Sequence, residues 1–170
     1  YLESVAATVG AEYPAGLVSP VGLVVASPAL APDFGVAVPD AGGARRAPLR
    51  ELFSPAQYHG TVVWSWQQAL FARGLRRQLE RADLGEPARG ALERLECRLW
   101  AAIEATRAVR TSELWSYAPG ADGAPRYRTF GAARSDVDET NAIQLWSTVY
   151  LAVQPPSREQ NPRCAGEKSE

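Results

Sequence analysis

The sequence is short of several things that would simplify its reading. It has no Met, one His and two Cys in 170 residues. A translated chain starts with Met, so Tyr1 is expected to be a processing site, an artificial boundary or a cut. No basic stretch followed by an apolar core opens the chain, so no signal peptide is visible. No apolar run approaches the roughly 20 residues of a membrane helix. The longest, Val21 to Ala31, is interrupted by Gly22, Ser27 and Pro28. No charge of one sign dominates: the formal net charge is −1, so no global field draws a polyanion. Arg73, Arg76, Arg77 and Arg81 are interleaved with Leu75 and Leu79 and read as a solvated helix face rather than a nucleic-acid interface. A zinc site needs three or four ligands, and Cys97, Cys164 and His59 are too scattered to form one. No metal or other cofactor is expected. Cys97 reads as a small buried hydrophobe on a helix, and the cellular compartment stays open.

What is present is apolar and aromatic: 46% hydrophobic residues, with five Trp, six Tyr and four Phe. Residues 1–57 are rich in Pro, Gly and Ala and read as loop. Proline from Pro14 to Pro55 recurs too often for a long helix, because each one removes an N–H donor. Leu2 to Val9 reads as the tail of a helix, and Val21 to Val25 as a short strand or a buried extended segment. From Thr61 the pattern changes. Val63, Trp66, Leu70, Phe71, Leu75 and Leu79 recur in steps of three and four and predict a helix over 62–81. After a turn at Gly85 and Pro87, Leu92, Leu95, Leu99 and Ile103 form a stripe that predicts a second helix over 88–109. The short link implies antiparallel packing. Residues 112–138 read as a loop with an aromatic load. Asn141 to Val153 is apolar on nearly all sides and predicts a buried helix. Residues 154–170 read as a frayed, disordered tail. The helical part is then 58–153, and its last helix lacks enough neighbours to be buried.

Three segments carry chemistry. Tyr58-His59-Gly60-Thr61-Val62-Val63-Trp64-Ser65-Trp66 packs flat rings and hydrogen-bonding groups beside a helix start. Such rings suit sugars, whose apolar C–H faces are ringed by hydroxyls. The alternative is that these tryptophans are core, and that His59 caps or packs. Glu113-Leu114-Trp115-Ser116-Tyr117 places a carboxylate among aromatics. Glycoside hydrolysis needs two carboxyl groups, and Glu113 is a candidate for one, the alternative being an ordinary loop glutamate. Asp136, Asp138 and Glu139 suit the first turn of the following helix, with Glu139 or Asp136 competing for the catalytic role. Asn141 and Gln144 are placed to orient hydroxyls.

These residues resemble a known group. Tyr58-His59-Gly60-Thr61-Val62-Val63-Trp64 resembles the H-N-G-T-x-W-P type of segment of the six-hairpin glycosidases. That group includes bacterial glycogen-debranching-type glucosidases, trehalases and processing-glucosidase relatives. Glu113 to Tyr117 resembles the segment that carries their catalytic base, and Asn141 to Ser147 their last inner helix. Residues 16–29 resemble a subsite loop of some members. Ser65 stands where many relatives have Pro, and Leu114-Trp115 where they have another residue and Tyr. The resemblance implies an all-α fold, the C-terminal part of an (α/α)6 toroid, with the rest of that domain ahead of Tyr1. It implies inverting hydrolysis of glucosidic or related bonds. Glu113, or in second place Glu139, would be the base, and an aspartate upstream of Tyr1 the acid. Tyr58, His59, Trp64 and Trp115 would wall the carbohydrate subsite. A helical domain that binds carbohydrate without cleaving it is the alternative.

Overall fold

A computed structural model of the chain describes residues 1–27, 35–40, 43–48, 53–132, 148–150 and 152–165. Its described residues form a mixed α/β structure, with helices α1 (Leu2–Gly10), α2 (Ser65–Leu79) and α3 (Glu86–Ala105). The strands are β1 (Val18–Ser19), β2 (Gly22–Leu23), β3 (Gly35–Asp40), β4 (Gly43–Pro48), β5 (Val62–Trp64), β6 (Leu114–Pro119) and β7 (Pro125–Thr129). They make three antiparallel sheets: β1-β2, β3-β4 and β5-β6-β7. The all-α expectation is therefore wrong, and with it the toroid. Two sequence features account for the error. Val62-Val63-Trp64 is a β-branched and aromatic run that extends as a strand, so the helix starts at Ser65. Asp122-Gly123, the latter at φ +78°, turns 114–129 into a hairpin where a loop was expected.

The helices follow the periodicity more closely. Leu92, Leu95, Leu99 and Ile103 are all buried, at 2%, 2%, 0% and 0% exposure. They pack with Ala69, Ala72, Leu75 and Leu79 of α2 and with Ala6 of α1 into the main core. Pro87 occupies the first turn of α3, where its missing N–H leaves no bond unmade. The α2–α3 pair is a hairpin: Arg89 donates to the Leu79 carbonyl at 2.8 Å near the turn, and Arg76 reaches Glu96 at 3.5 Å farther along. The chain thus leaves β5, makes the helical hairpin, and returns as β6 beside β5. Val62 pairs with Ser116, Val63 with Trp115 and Trp64 with Leu114.

The 1–27 segment is held against this frame. The Leu23 amide donates to Gln68 Oε1 at 2.7 Å, and Gly22, at φ +132°, leaves no room for a Cβ beside that same oxygen. Of the frayed tail expected over 154–170, the described part, 154–165, is held to α3. Asn161 is fully buried and donates to Glu96 at 2.8 Å and to the Glu93 carbonyl at 3.1 Å. Cys164 forms a disulfide with Cys97 of α3, 67 positions away. Cys97 is therefore a cross-link and not a free buried thiol. The predicted helix over 141–153 falls mostly outside the described residues. Of it, residues 148–150 form a short 3-10 turn, where the Tyr150 hydroxyl accepts from Gln68 Nε2 at 2.7 Å.

Candidate functional site

The three-stranded sheet has two different faces, because neighbouring residues on a strand point in opposite directions. On one face Val63, Trp115 and Tyr117 pack with Val21 and Val24. On the other, Val62 and Leu114 pack with Phe130, with Trp64 against them. Residues 53–60 lie over this second face. They are tied down by the Ser116 hydroxyl, which donates to the Pro55 carbonyl at 2.7 Å, and by the Thr61 amide, which donates to the Ser54 carbonyl at 3.1 Å. Gly60 permits this path, since a Cβ there would run into the Ser54 backbone.

The loop delivers Tyr58 and His59 onto Trp64. Tyr58 meets Trp64 edge-on with ring centroids 4.6 Å apart, and meets Phe130 edge-on at 5.6 Å. His59 stacks on Trp64 at 5.6 Å, with the planes only 4° apart. Trp64 Nε1 donates to the Tyr58 carbonyl at 3.2 Å, which fixes the indole. These arrangements are favourable for aromatic pairs beyond simple burial. The cluster faces outward: Tyr58 is 38% exposed, His59 is exposed and Trp64 half-buried.

Glu113 is tied to this cluster through Tyr58. The Tyr58 hydroxyl donates to its Oε1 at 2.8 Å, and only 6% of the residue is exposed. Its backbone is fixed as firmly. The amide and the hydroxyl of Ser65 both donate to the Glu113 carbonyl, each at 2.9 Å. The strand pairing of Trp64 with Leu114 thus sets the carboxylate one residue from the indole in register. Tyr58 and Glu113, 55 positions apart, meet only because β5 and β6 are neighbours.

Of the sequence candidates among the described residues, Tyr58, His59, Trp64 and Glu113 converge here. Trp115 does not. It is fully buried on the opposite face, and its Nε1 donates to the Val21 carbonyl at 2.9 Å. It is a core residue, so it cannot wall a sugar subsite. Glu139, with Asp136, Asp138, Asn141 and Gln144, lies outside the described residues. Sequence reasoning gave no site role to Phe130, which backs Tyr58, or to Ser65, which anchors Glu113. Among the described residues no group of three or more His, Cys, Asp or Glu could hold a metal ion, and no helix is long and apolar enough to cross a membrane.

The arrangement offers a carboxylate held by a phenol, and an aromatic surface with hydrogen-bonding edges beside that phenol. Compared with family models, curated proteins and solved structures, the chain matches none of them.

Proposed function

We propose that this chain contributes a carbohydrate site to a glycoside hydrolase, with Trp64, Tyr58 and His59 as the sugar-facing surface and Glu113 as the catalytic carboxylate. The observation that carries the reading is the 2.8 Å hydrogen bond from the Tyr58 hydroxyl to Glu113, made by a ring that also packs edge-on against His59 and Trp64. Sugars bind by laying apolar C–H faces on rings while their hydroxyls find polar edges. Glycoside hydrolysis adds a carboxyl pair across the bond. In the inverting form the base touches a water and not the sugar ring, which suits a carboxylate as enclosed as Glu113. Tyr58 would orient it, leaving Glu113 to take the proton of the attacking water. A second carboxyl would protonate the leaving oxygen. Among the described residues none is assigned that role.

One observation favours a second reading. Glu113 is enclosed and already hydrogen-bonded, as a structural brace would be. The same aromatic surface would then bind carbohydrate without cleaving it.

One set of variants separates the two. Oligosaccharide binding is followed by tryptophan fluorescence, and hydrolysis by reducing-end release, in the chain alone and in its full coding product. The enzyme reading expects Glu113→Gln to abolish hydrolysis while binding persists, and Trp64→Ala to weaken both. Hydrolysis that survives Glu113→Gln removes Glu113 from catalysis. Binding without hydrolysis in every form leaves the second reading. Sugar binding unaffected by Trp64→Ala sinks both.

A further inference from the structure

The face that carries Trp64 continues along the sheet. Residues directly opposite on paired strands project to the same side. Trp64 faces Leu114 and Val62 faces Ser116. Ser116 in turn faces Arg128, and Ala118 faces Arg126. One side of the sheet therefore runs from Trp64 through Leu114 and Ser116 to Ala118, with two arginines alongside. At the arginine end lies a cavity of about 310 Å³, bounded by Pro55, Ser116, Tyr117, Ala118, Arg126, Tyr127 and Arg128. That is within the usual size range of a small-ligand site, on the order of 300–1,000 Å³. The space exists because the partners of the two arginines are Ser116 and Ala118, whose short side chains leave the strand face low. Pro55, held over it by Ser116, belongs to the same loop that presents Tyr58. One loop thus supplies a wall of this cavity and a ring of the aromatic surface.

Resting on the carbohydrate reading above, we infer that this cavity is a second subsite, which takes a negatively charged substituent of the sugar chain on Arg126 and Arg128. Two guanidinium groups on alternate residues of one strand start about 7 Å apart, so both can turn onto one anion. Arginine presents a planar fork of donors that matches a carboxylate or a sulfate. Arg126 is only loosely engaged. Its contact with Asp122 is 3.4 Å long and both side chains are largely exposed, at 68% and 59%. Such a pair adds little stability, so an incoming anion displaces Asp122 readily. Along the strand, Ser116 and Ala118 lie about 7 and 14 Å beyond the Trp64–Leu114 pair. Leu114 and Ser116 are themselves buried, so a short oligosaccharide that joins the aromatic surface to the cavity crosses the outside of the 53–60 loop. The floor and wall, Ala118 and Pro55, offer apolar contact for a ring whose charged group sits between the arginines. The class of ligand is an acidic oligosaccharide, carrying either uronate carboxylates or sulfate esters.

The test is a titration of the full chain with three probes of equal length: a neutral malto-oligosaccharide, an oligouronate and a sulfated oligosaccharide. At low salt one of the acidic probes should bind about tenfold more tightly than the neutral one, the scale of a charge-assisted contact. Which acidic probe wins identifies the anion. Arg126→Ala with Arg128→Ala should reduce that probe to the neutral level and leave the neutral probe unchanged. Arg128→Lys, which keeps the charge but loses the fork, should fall between. Trp64→Ala should weaken all three. Neutral binding that needs Trp64, with no preference for either acidic probe, overturns the second subsite and leaves the carbohydrate reading intact. A preference that survives loss of both arginines overturns it as well. Absence of binding by any probe overturns both.

Discussion

Ser65 grips the carbonyl of Glu113 twice, with its amide and with its hydroxyl, each at 2.9 Å. The amide bond extends the β5–β6 ladder by one step, and the hydroxyl bond seals the point where strand becomes helix. Ser65 is fully buried, so no water replaces either donor. Ser65→Ala should cost about 1 kcal/mol, the net worth of one intramolecular hydrogen bond. Ser65→Pro should cost more, up to about 3 kcal/mol, because it strips both donors from a buried acceptor. The loss would not come from the helix, since Ser65 follows the N-cap Trp64 and proline is well tolerated at that position. Urea unfolding of both variants checks the order. Equal stability of the two would mean that the amide bond contributes nothing.

Trp64 and Trp115 predict opposite phenotypes, although sequence reasoning gave them the same role. Trp115 is fully enclosed and hydrogen-bonded to Val21. Trp115→Ala should therefore lower stability by roughly 3–5 kcal/mol, as large-to-small changes in a core do. Trp64 sits half-buried at the surface cluster, so Trp64→Ala should leave the unfolding midpoint much closer to the parent and act on sugar binding. Paired denaturation and fluorescence titrations read both. A mild Trp115→Ala would contradict its placement in the core.

The difference between those two tryptophans shows what the sequence could reveal. The stripe Leu92-Leu95-Leu99-Ile103 was legible because one helix face is buried and the other is wet, which imprints a period on the residues. The run Leu114 to Tyr117 carries no such imprint. Trp115 and Tyr117 pack inward on one face, while on the other Leu114 packs with Val62 and Phe130 and Ser116 is bonded to Pro55. All four are buried, and a strand buried on both faces shows no alternation. Its aromatics then look like the walls of a subsite. The meeting of Tyr58 with Glu113 depends on that hidden strand pairing, so only a resemblance of segments pointed to it. The Cys97–Cys164 bridge left no local signal either, because neither cysteine has a neighbouring one and their spacing fits no common motif.

That bridge should matter for stability. Cys97 and Cys164 close a loop across a sequence separation of 67 with a Cα–Cα distance of 4.9 Å. Chain-entropy arithmetic for a loop of that length gives roughly 4 kcal/mol, taken from the unfolded ensemble. Cys97→Ser with Cys164→Ser should lower the melting temperature markedly, and a reductant should do the same to the parent but nothing further to the variant. The 152–165 segment should lose protection first, because Asn161 and Arg163 hold it to α3 through Glu96 and Glu93. Hydrogen exchange with and without reductant locates the change. Uniform loss of protection over the whole chain would argue against a local staple.

Glu96 gives the chain a pH dependence of its own. Its side chain is 1% exposed, and burial holds its carboxyl above the ordinary glutamate value, with Asn161 and Arg76 pulling it back down. The folded chain therefore binds this proton more tightly than the unfolded chain does. Glu96 contributes its full stability at pH values below the ordinary glutamate value. It loses that contribution as the pH rises through the higher, folded value. Glu96→Gln keeps an oxygen that can accept from Asn161 and removes the ionisation. Other carboxylates titrate in both proteins, so the quantity to follow is the stability of the variant minus that of the parent. This difference should rise in favour of the variant as the pH climbs above the ordinary glutamate value, in the direction set by linkage. Loss of the Arg76 contact subtracts from the variant once Glu96 is ionised in the parent, and so works against the rise. Comparing Arg76→Gln alone with the double variant isolates that part. Urea midpoints across the range supply the measurement. A difference that stays flat with pH would show that Asn161 and Arg76 fully offset the burial of the carboxylate.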